Sequence, residues 1–211
     1  MAYELPMFPL GTVLFPYAPL PLHVFEPRYR ALVEACLAAE TEPEFGVVLI
    51  ERGSEVGGGD TRFDVATVAR ILQVGRADDG RYVLGTVGTR RLRVVRWLDD
   101  APYPRAEVET FDDPPHPPLE PELRAEITQL LTHVLALRAE LGDAVDVVFE
   151  LDEDPVRASY EAAARVGVGP LDAQELLAAG GAIERLEMLR VMLEDQRVVL
   201  GAHLRGPEPS E

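Results

Sequence analysis

The chain has 211 residues, enough for one large domain or two small ones, each able to bury a hydrophobic core. It carries 20 basic residues against 37 acidic ones, a net charge of −17, and every basic residue is arginine because the sequence contains no lysine. Such a charge disfavours binding to nucleic acid, where cationic side chains must neutralise phosphates. No apolar run approaches the ~20 residues of a membrane-spanning helix, and the first residues lack the features of a secretory signal. We therefore expect a cytoplasmic protein that binds neither nucleic acid nor membranes.

The amino-terminal arm of the chain is apolar and interrupted by Pro16, Pro19 and Pro21. Because proline lacks the N–H that a central strand donates, the two apolar runs of this arm, Thr12–Phe15 and Leu20–Phe25, are predicted to be edge strands or crossings over a sheet. Over Pro27–Ala39 the apolar residues recur with helical spacing, and proline suits the first turn of a helix. Cys36, the only cysteine, lies on the apolar face of this predicted helix and is expected to be a buried core residue.

The rest of the first half is rich in β-branched residues, which favour strands. The predicted strands are Phe45–Glu51, Val65–Val74, Arg81–Val87, Arg90–Leu98 and Arg105–Phe111. The residues Asp78, Asp79 and Gly80 predict a hairpin turn between two of them, and the three glycines at 57–59 predict a flexible loop. A series of short, mainly antiparallel strands indicates a small, partly closed barrel.

The second half of the chain begins with a segment at 112–121 whose paired prolines predict a stiff, extended linker. Four helices are predicted after it: along Leu123–Leu141, after Asp154 and Pro155, after Pro170, and over Ala182–Leu204. Broad apolar faces on these helices indicate a bundle. The predicted organisation is a β-rich subdomain at 1–111, the linker at 112–121, a helical bundle at 122–205 and a disordered tail at 206–211. Residues 112–211 hold 8 arginines and 21 acidic residues, so this half is the more acidic one.

Five stretches of the sequence together resemble one known family. They are PLGTVLFPYAPLPLHVFEPRYRALVEACL at 9–37, FGVVLIERGSEVG at 45–57, VATVARILQV at 65–74, DGRYVLGTVGTRRLRVVRW at 79–97 and QELLAAGGAIERLEMLRVML at 174–193. The chain is similar to the substrate-binding domain at the amino terminus of Lon proteases, in its free-standing, single-domain form. The resemblance implies an α+β fold, with an amino-terminal PUA-like, mainly antiparallel, barrel-like domain that contains one helix, followed by a carboxy-terminal α-helical bundle.

The sequence lacks the motifs that would indicate catalysis or metal binding. Without lysine it can form neither a Walker A nucleotide loop nor a serine–lysine peptidase dyad. Its three serines, Ser54, Ser159 and Ser210, lie outside any GxSxG elbow, and its four histidines have no metal-ligand spacing. We therefore predict no catalytic residue, no metal and no cofactor, and hence no enzyme.

Three aromatic residues are the predicted peptide-contacting residues. Tyr17 and Tyr103 lie between prolines and Trp97 ends a predicted strand. The competing interpretation, which aromatic residues at such positions favour, is a partly buried cap on the barrel. The resemblance implies a non-catalytic module that binds polypeptides. Two alternatives stay open at this point: an adaptor that docks on a larger protease or ATPase, and a module that binds a small molecule. The expected partners are thus polypeptides or one protein partner, and the oligomeric state stays open.

Overall fold

The computed structural model describes residues 1–53 and 61–205, and this part of the chain contains seven strands and five helices. The strands are β1 (Tyr3–Leu10), β2 (Pro19–Val24), β3 (Glu44–Arg52), β4 (Thr61–Arg62), β5 (Val65–Arg76), β6 (Tyr82–Leu98) and β7 (Arg105–Thr110). The helices are α1 (Pro27–Ala38), α2 (Pro121–Glu140), α3 (Pro155–Val166), α4 (Pro170–Ala178) and α5 (Ala182–Arg205). The glycine loop predicted at 57–59 and the tail predicted at 206–211 lie outside the described residues.

The chain divides into two compact units, one of Met1–Asp112 with Pro170–Ala178 and one of Asp113–Gly169 with Ala179–Glu211. In the first unit, strands β1, β7, β6, β5 and β3 are hydrogen-bonded in that order, and β3 pairs in turn with β1. This closes a barrel, which leaves no free edge along the paired segments. The β1–β3 pair is parallel and the other pairs are antiparallel. The predicted α+β fold with a mainly antiparallel barrel is confirmed.

Two hydrophobic clusters fill the first unit. One takes residues from all five barrel strands, including Met7, Val68 and Leu92. The other lies between the barrel, β2 and α1, and it includes Phe45 and the α1 residues Tyr29, Leu32, Val33 and Cys36. Helix α1 thus buries the face that its apolar spacing predicts, and Pro27 begins it as predicted. Glu26, just before the helix, accepts a hydrogen bond from Arg28 over 3.1 Å, which fixes the corner between β2 and α1.

Strand β6 differs from the sequence-based prediction. Arg81–Val87 and Arg90–Leu98 were expected to be two strands, but they form one strand of 17 residues. The expected break at Gly88 is wrong because this glycine serves a close approach: a Cβ atom there would lie 2.2 Å from the carbonyl oxygen of Phe15. Strand β6 therefore pairs with β2, β5 and β7 along its length. Strand β1 was not predicted, because Pro6 and Pro9 weaken the strand signal there.

Helix α4 belongs to the first unit. The buried guanidinium of Arg91 donates to the carbonyl oxygen of Leu177 over 2.8 Å, close to the carboxyl end of α4, where a positive charge is favourable. Gln174 donates to the carbonyl oxygen of Val65 over 2.9 Å. These buried hydrogen bonds hold α4 on β5 and β6. The division predicted from the sequence, with a β-rich subdomain at 1–111, a linker at 112–121 and a helical bundle at 122–205, stays a prediction.

The second unit consists of α2, α3, α5 and the segments between them. Its apolar core includes Leu131, Ala162 and Leu189. One buried polar cluster lies within it. The fully buried Arg185 donates to Asp113 Oδ1 over 2.8 Å and to Ser159 Oγ over 2.6 Å, and it lies 3.8 Å above the ring of Tyr160. Tyr160 donates to the second carboxylate oxygen of Asp113. Within this unit, the start of the predicted linker is therefore anchored to α3 and α5.

Candidate functional site

The three aromatic residues predicted to contact a peptide lie in the first unit, in different environments. Tyr17 has a left-handed backbone, with φ of 67°, and its N–H donates to the carbonyl oxygen of Gly88 over 2.8 Å. Its side chain is 43% exposed. Trp97 packs against the barrel cluster, and the guanidinium of Arg62 lies 4.5 Å from its ring centroid. Tyr103 is half-buried against the cluster under α1.

Tyr103 lines a groove of about 850 Å³ formed by β1, α1 and the residues before β3. Neither Tyr17 nor Trp97 is among the residues that line this groove. The structure therefore does not bring the three predicted residues to one site. Their role in peptide contact stays a prediction for each residue separately.

The floor of this groove carries an arginine–glutamate cluster. The carboxylate of Glu44 accepts from Arg90 over 2.8 Å and from Arg70 over 2.9 Å, and Arg90 also donates to the hydroxyl of Tyr3 over 3.3 Å. Burial opposes ionisation of Glu44, but the hydrogen bonds from Arg90 and Arg70 outweigh it and lower its pKa. The hydrogen bond to Glu44 raises the pKa of Arg90 against the opposing effect of burial. Both groups stay charged at neutral pH and neutralise each other, which suits a cross-strand clamp better than acid–base chemistry.

Cys36 also lines the groove, but its thiol is unreactive. Burial raises the pKa of Cys36 to about 12, so the thiolate that a nucleophile requires is scarce at neutral pH. The thiol donates instead to the carbonyl oxygen of Glu44 over 3.3 Å. The sequence-based expectation of a buried core cysteine agrees with this position.

A second surface of the first unit is formed by β2, β6 and β5, and we call it the outer face. Three cross-strand rows define it, because directly paired residues point to the same side of a sheet. The rows are Pro19 with Val87 and Arg70, Pro21 with Gly85 and Gln73, and His23 with Val83 and Gly75. Leu22, Val24 and Leu84 point to the opposite side and are buried.

Arg70, at the end of the first row, is the only charged residue in these three rows, and the rows of Pro21 and His23 contain none. Val83 is 46% exposed, and Pro19, Pro21, His23 and Gln73 are exposed as well. The solvent face of an antiparallel sheet is normally polar, and 27% of this chain is charged, so the composition of the face is unusual. Two glycines keep the face flat. The guanidinium of Arg70 donates to the carboxylate of Glu44 over 2.9 Å, so the one charge of these rows is paired.

Apolar residues at the border extend the outer face. Leu72, at the irregularity between Ile71 and Gln73, is 63% exposed, and Phe25, directly after β2, is 57% exposed. Val74 is 43% exposed on the opposite side of the sheet, because it pairs with Leu84. Contiguous apolar surface of this kind marks interaction sites in soluble proteins. The sequence contains a signal that the aromatic-based prediction missed: residues 11–25 and 82–89 are both without Asp, Glu or Arg. Only the strand register places these two uncharged stretches side by side.

Two features are absent from the described residues, a cluster of potential metal ligands and a helix able to span a membrane. Over residues 1–53 and 61–205, no group of three or more His, Cys, Asp or Glu side chains is placed to hold a metal ion. None of the five helices in this part of the chain combines the length and hydrophobicity that a bilayer-spanning segment requires.

Comparison with models of protein families shows to which family the chain belongs. Residues 4–195 match the model of the ATP-dependent protease La (LON) substrate-binding domain. The chain belongs to this family. The match covers both compact units, so the family relationship applies to the helical half of this LON substrate-binding domain as well as to the barrel.

Individual relatives agree with this assignment. The domain is 30% identical to Lon protease 2 of Herpetosiphon aurantiacus over 206 residues, which cover 93% of this chain and 24% of that protein. It is 28% identical to Lon protease of Escherichia coli strain K12 over 199 residues, which cover 92% of this chain and 25% of that protein. The chain thus spans about a quarter of the length of these curated relatives.

Two solved structures share the fold. A Lon N-terminal domain protein from Xanthomonas campestris matches with a TM-score of 0.65 and 29% identity, over 90% of this chain and 98% of that one. The N-terminal domain of a Mycobacterium avium complex Lon protease matches with a TM-score of 0.62 and 22% identity, over 92% of this chain and 99% of that one. The resemblance inferred from the sequence is confirmed, and the free-standing form stays a prediction.

Proposed function

We propose that this LON substrate-binding domain recognises polypeptides through the outer face of β2, β6 and β5 and performs no chemistry itself. The observation that carries the proposal is the uncharged surface around Val83 on a chain with a net charge of −17. An apolar segment of an unfolded polypeptide would bury this surface at little electrostatic cost. Membership of a substrate-binding family supports the same conclusion.

The edge of β5 offers a way to hold an extended chain. Among the pairings of the described residues, 73–76 of β5 pair only with β6. An extended segment added at such an edge would gain main-chain hydrogen bonds, and its apolar side chains would contact Leu72 and Val74. Main-chain pairing does not depend on sequence, which suits a site that accepts many polypeptides.

No part of the proposal requires catalysis by these 211 residues. The absence of lysine removes the Walker A loop and the serine–lysine dyad, so ATP hydrolysis and peptide cleavage would belong to other sequence. We propose that the domain serves proteolysis by recognition alone, in the cytoplasm. The adaptor and small-molecule alternatives stay predictions, and neither has a specific observation in its favour.

The test is isothermal titration of the domain with a reduced, carbamidomethylated protein that cannot refold, and with an uncharged apolar peptide of 12 residues. Val83→Asp places an unpaired carboxylate in the contact surface, so we expect the affinity to fall by at least about tenfold. Val95→Asp is the matched control, because Val95 lies on the same strand, is 53% exposed and lies outside the outer face.

Circular dichroism and the Tm of both variants confirm that the fold is kept. Equal affinity of the two variants for both ligands, or no binding by the unmodified domain, would contradict the proposal. Binding of one stoichiometric partner from a purified set of proteases and ATPases, with no binding of unfolded chains, would favour the adaptor instead.

A further inference from the structure

The second unit contains a groove of its own, of about 710 Å³, which we call the Phe149 groove. It is formed by the first turns of α2, the segment before α2 and the segment before α3. Its apolar lining includes Pro118, Leu119, Pro121, Phe149, Leu151 and Pro155. All of these residues belong to the second unit, so this groove involves none of the outer-face residues.

Hydrogen bonds hold the walls of the Phe149 groove in place. The guanidinium of Arg124, on α2, donates to the carbonyl oxygen of Leu151. The N–H of Asp152 donates to Glu161 over 3.2 Å, and the N–H of Asp154 donates to Asp152 over 2.9 Å. Asp154 also caps α3. A groove with fixed walls binds at a lower entropic cost than one that must first be ordered.

The mouth of the groove is acidic. Glu150 and Glu153 line it, and within the described residues neither forms an ion pair. Residues 143–154 contain six acidic residues and no basic one. Arg124 faces the carbonyl oxygen of Leu151, and the nearby Arg157 is paired with Asp152 and Glu161. The carboxylates of Glu150 and Glu153 are therefore available to attract a cation to the mouth of the groove.

Exposed apolar side chains continue from the groove along the chain. Val147 is 41% exposed and Val148 is 81% exposed, and both directly precede Phe149. The segment 143–152 forms neither helix nor strand, although its valines favour extended structure. Apolar surface and acidic side chains thus alternate along one extended segment beside the groove.

We propose that the Phe149 groove is a second polypeptide-binding site, which accepts an extended segment whose apolar side chains are flanked by arginine or lysine. The apolar walls take the side chains, and Glu150 and Glu153 pair with the flanking cations. The second unit carries 8 arginines against 18 acidic residues, a net charge of −10, so a second copy of this chain would be repelled. The occupant that fits both the walls and the charge is a basic, apolar polypeptide. This site does not depend on the function proposed for the outer face.

The test measures fluorescence anisotropy of three labelled peptides of 12 residues, which alternate leucine with arginine, leucine with glutamate, or serine with arginine. We expect the leucine–arginine peptide to bind best, with an affinity that falls as salt rises. The double variant Glu150→Gln, Glu153→Gln should weaken its binding by about tenfold and reduce the salt dependence. The control Glu140→Gln, Asp195→Asn removes the same charge from exposed positions of this unit and should change the affinity little.

Several outcomes would overturn the proposal. The leucine–glutamate peptide could bind as tightly as the leucine–arginine peptide, or the two double variants could change the affinity equally. Sedimentation could also show that the domain forms a dimer that is lost when Phe149 is replaced, in which case the groove is an interface between two copies. The variant Val83→Asp separates the two proposed sites. If the leucine–arginine peptide no longer binds to Val83→Asp, a single site on the outer face accounts for binding and the Phe149 groove is not a site. If only the uncharged ligands are lost, both sites stand.

Discussion

Gly88 and Gly75 both lie in strands of the barrel unit, but the space around them differs. A Cβ atom on Gly88 would lie 2.2 Å from the carbonyl oxygen of Phe15, which is closer than atoms approach in folded proteins. A Cβ atom on Gly75 would meet its nearest neighbour, the carbonyl oxygen of Val83, at 3.7 Å, an ordinary contact. Only the first glycine is therefore required by packing.

We expect Gly88→Ala to lower the free energy of unfolding by about 1–3 kcal/mol, because backbone atoms must move to admit the methyl group. Gly75→Ala should instead raise it by about 0.4–1 kcal/mol, since alanine restricts the unfolded chain. Urea denaturation followed by circular dichroism measures both. Equal effects of the two substitutions would show that the close approach of Phe15 to β6 does not determine stability.

At the scale of secondary-structure elements, three strands are joined by one side-chain cluster: Glu44 of β3 accepts hydrogen bonds from Arg70 of β5 and Arg90 of β6. Hydrogen bonds from both arginines lower the pKa of Glu44 below its usual value of 4.5, although burial acts in the opposite direction. A carboxylate with a lowered folded-state pKa contributes stability above its unfolded pKa, and this contribution is lost as the pH falls through the folded pKa. The clamp therefore stabilises the sheet at neutral pH and weakens in acid.

Glu44→Gln is expected to lower the Tm at pH 7, and the difference from the unmodified domain should shrink below pH 4.5 as Glu44 itself becomes protonated. Melting curves from pH 7 to pH 3 measure this. Glu107→Gln, at a more exposed ion pair with Arg96, is the control and should change the Tm little at any pH. A difference that stays constant with pH would argue against the clamp.

The buried cluster around Arg185 acts between elements of the second unit. Its partner Asp113 lies in the proline-rich segment, and the two side chains are 0% and 8% exposed. Removal of one partner would leave a buried charge without compensation, which is far more costly than loss of an exposed ion pair. The cluster therefore holds the proline-rich segment, which is neither helical nor extended in a sheet, to α3 and α5.

Asp113→Ala should lower the free energy of unfolding by about 3–5 kcal/mol. The double variant Asp113→Ala, Arg185→Met removes the stranded charge and should recover part of this loss. Glu187→Ala, at an exposed ion pair with Arg190, should have little effect. Thermal and urea denaturation measure all three, and a small effect of Asp113→Ala would contradict the role assigned to the cluster.

Most elements could be predicted because their residues carry local signals. Pro27 and Pro155 begin helices in the structure as they do in the sequence-based prediction, and Gly80 closes the hairpin turn with φ of 80°. The prediction of strand β6 was wrong because the residue expected to end a strand is required by a contact with a residue far away in sequence. Gly88 indicated a break, but it admits the backbone of Phe15, a residue far away in sequence.

At the scale of the whole molecule, charge is unevenly divided between the two units. The first unit carries 12 arginines against 19 acidic residues, and the second carries 8 against 18. The proposed binding surfaces follow this division. The outer face of the first unit is uncharged around Val83, and the Phe149 groove of the more acidic second unit has two carboxylates at its mouth.

The sequence by itself determined the family and the fold class, because motifs and composition are properties of the chain alone. It did not determine the candidate surfaces. Val83 joins Pro21 and His23 on one face only through the register of β6 with β2, and Phe149 faces Pro118 only after α2 and α3 pack. Binding surfaces are assembled from residues distant in sequence, so tertiary structure alone decided where they lie.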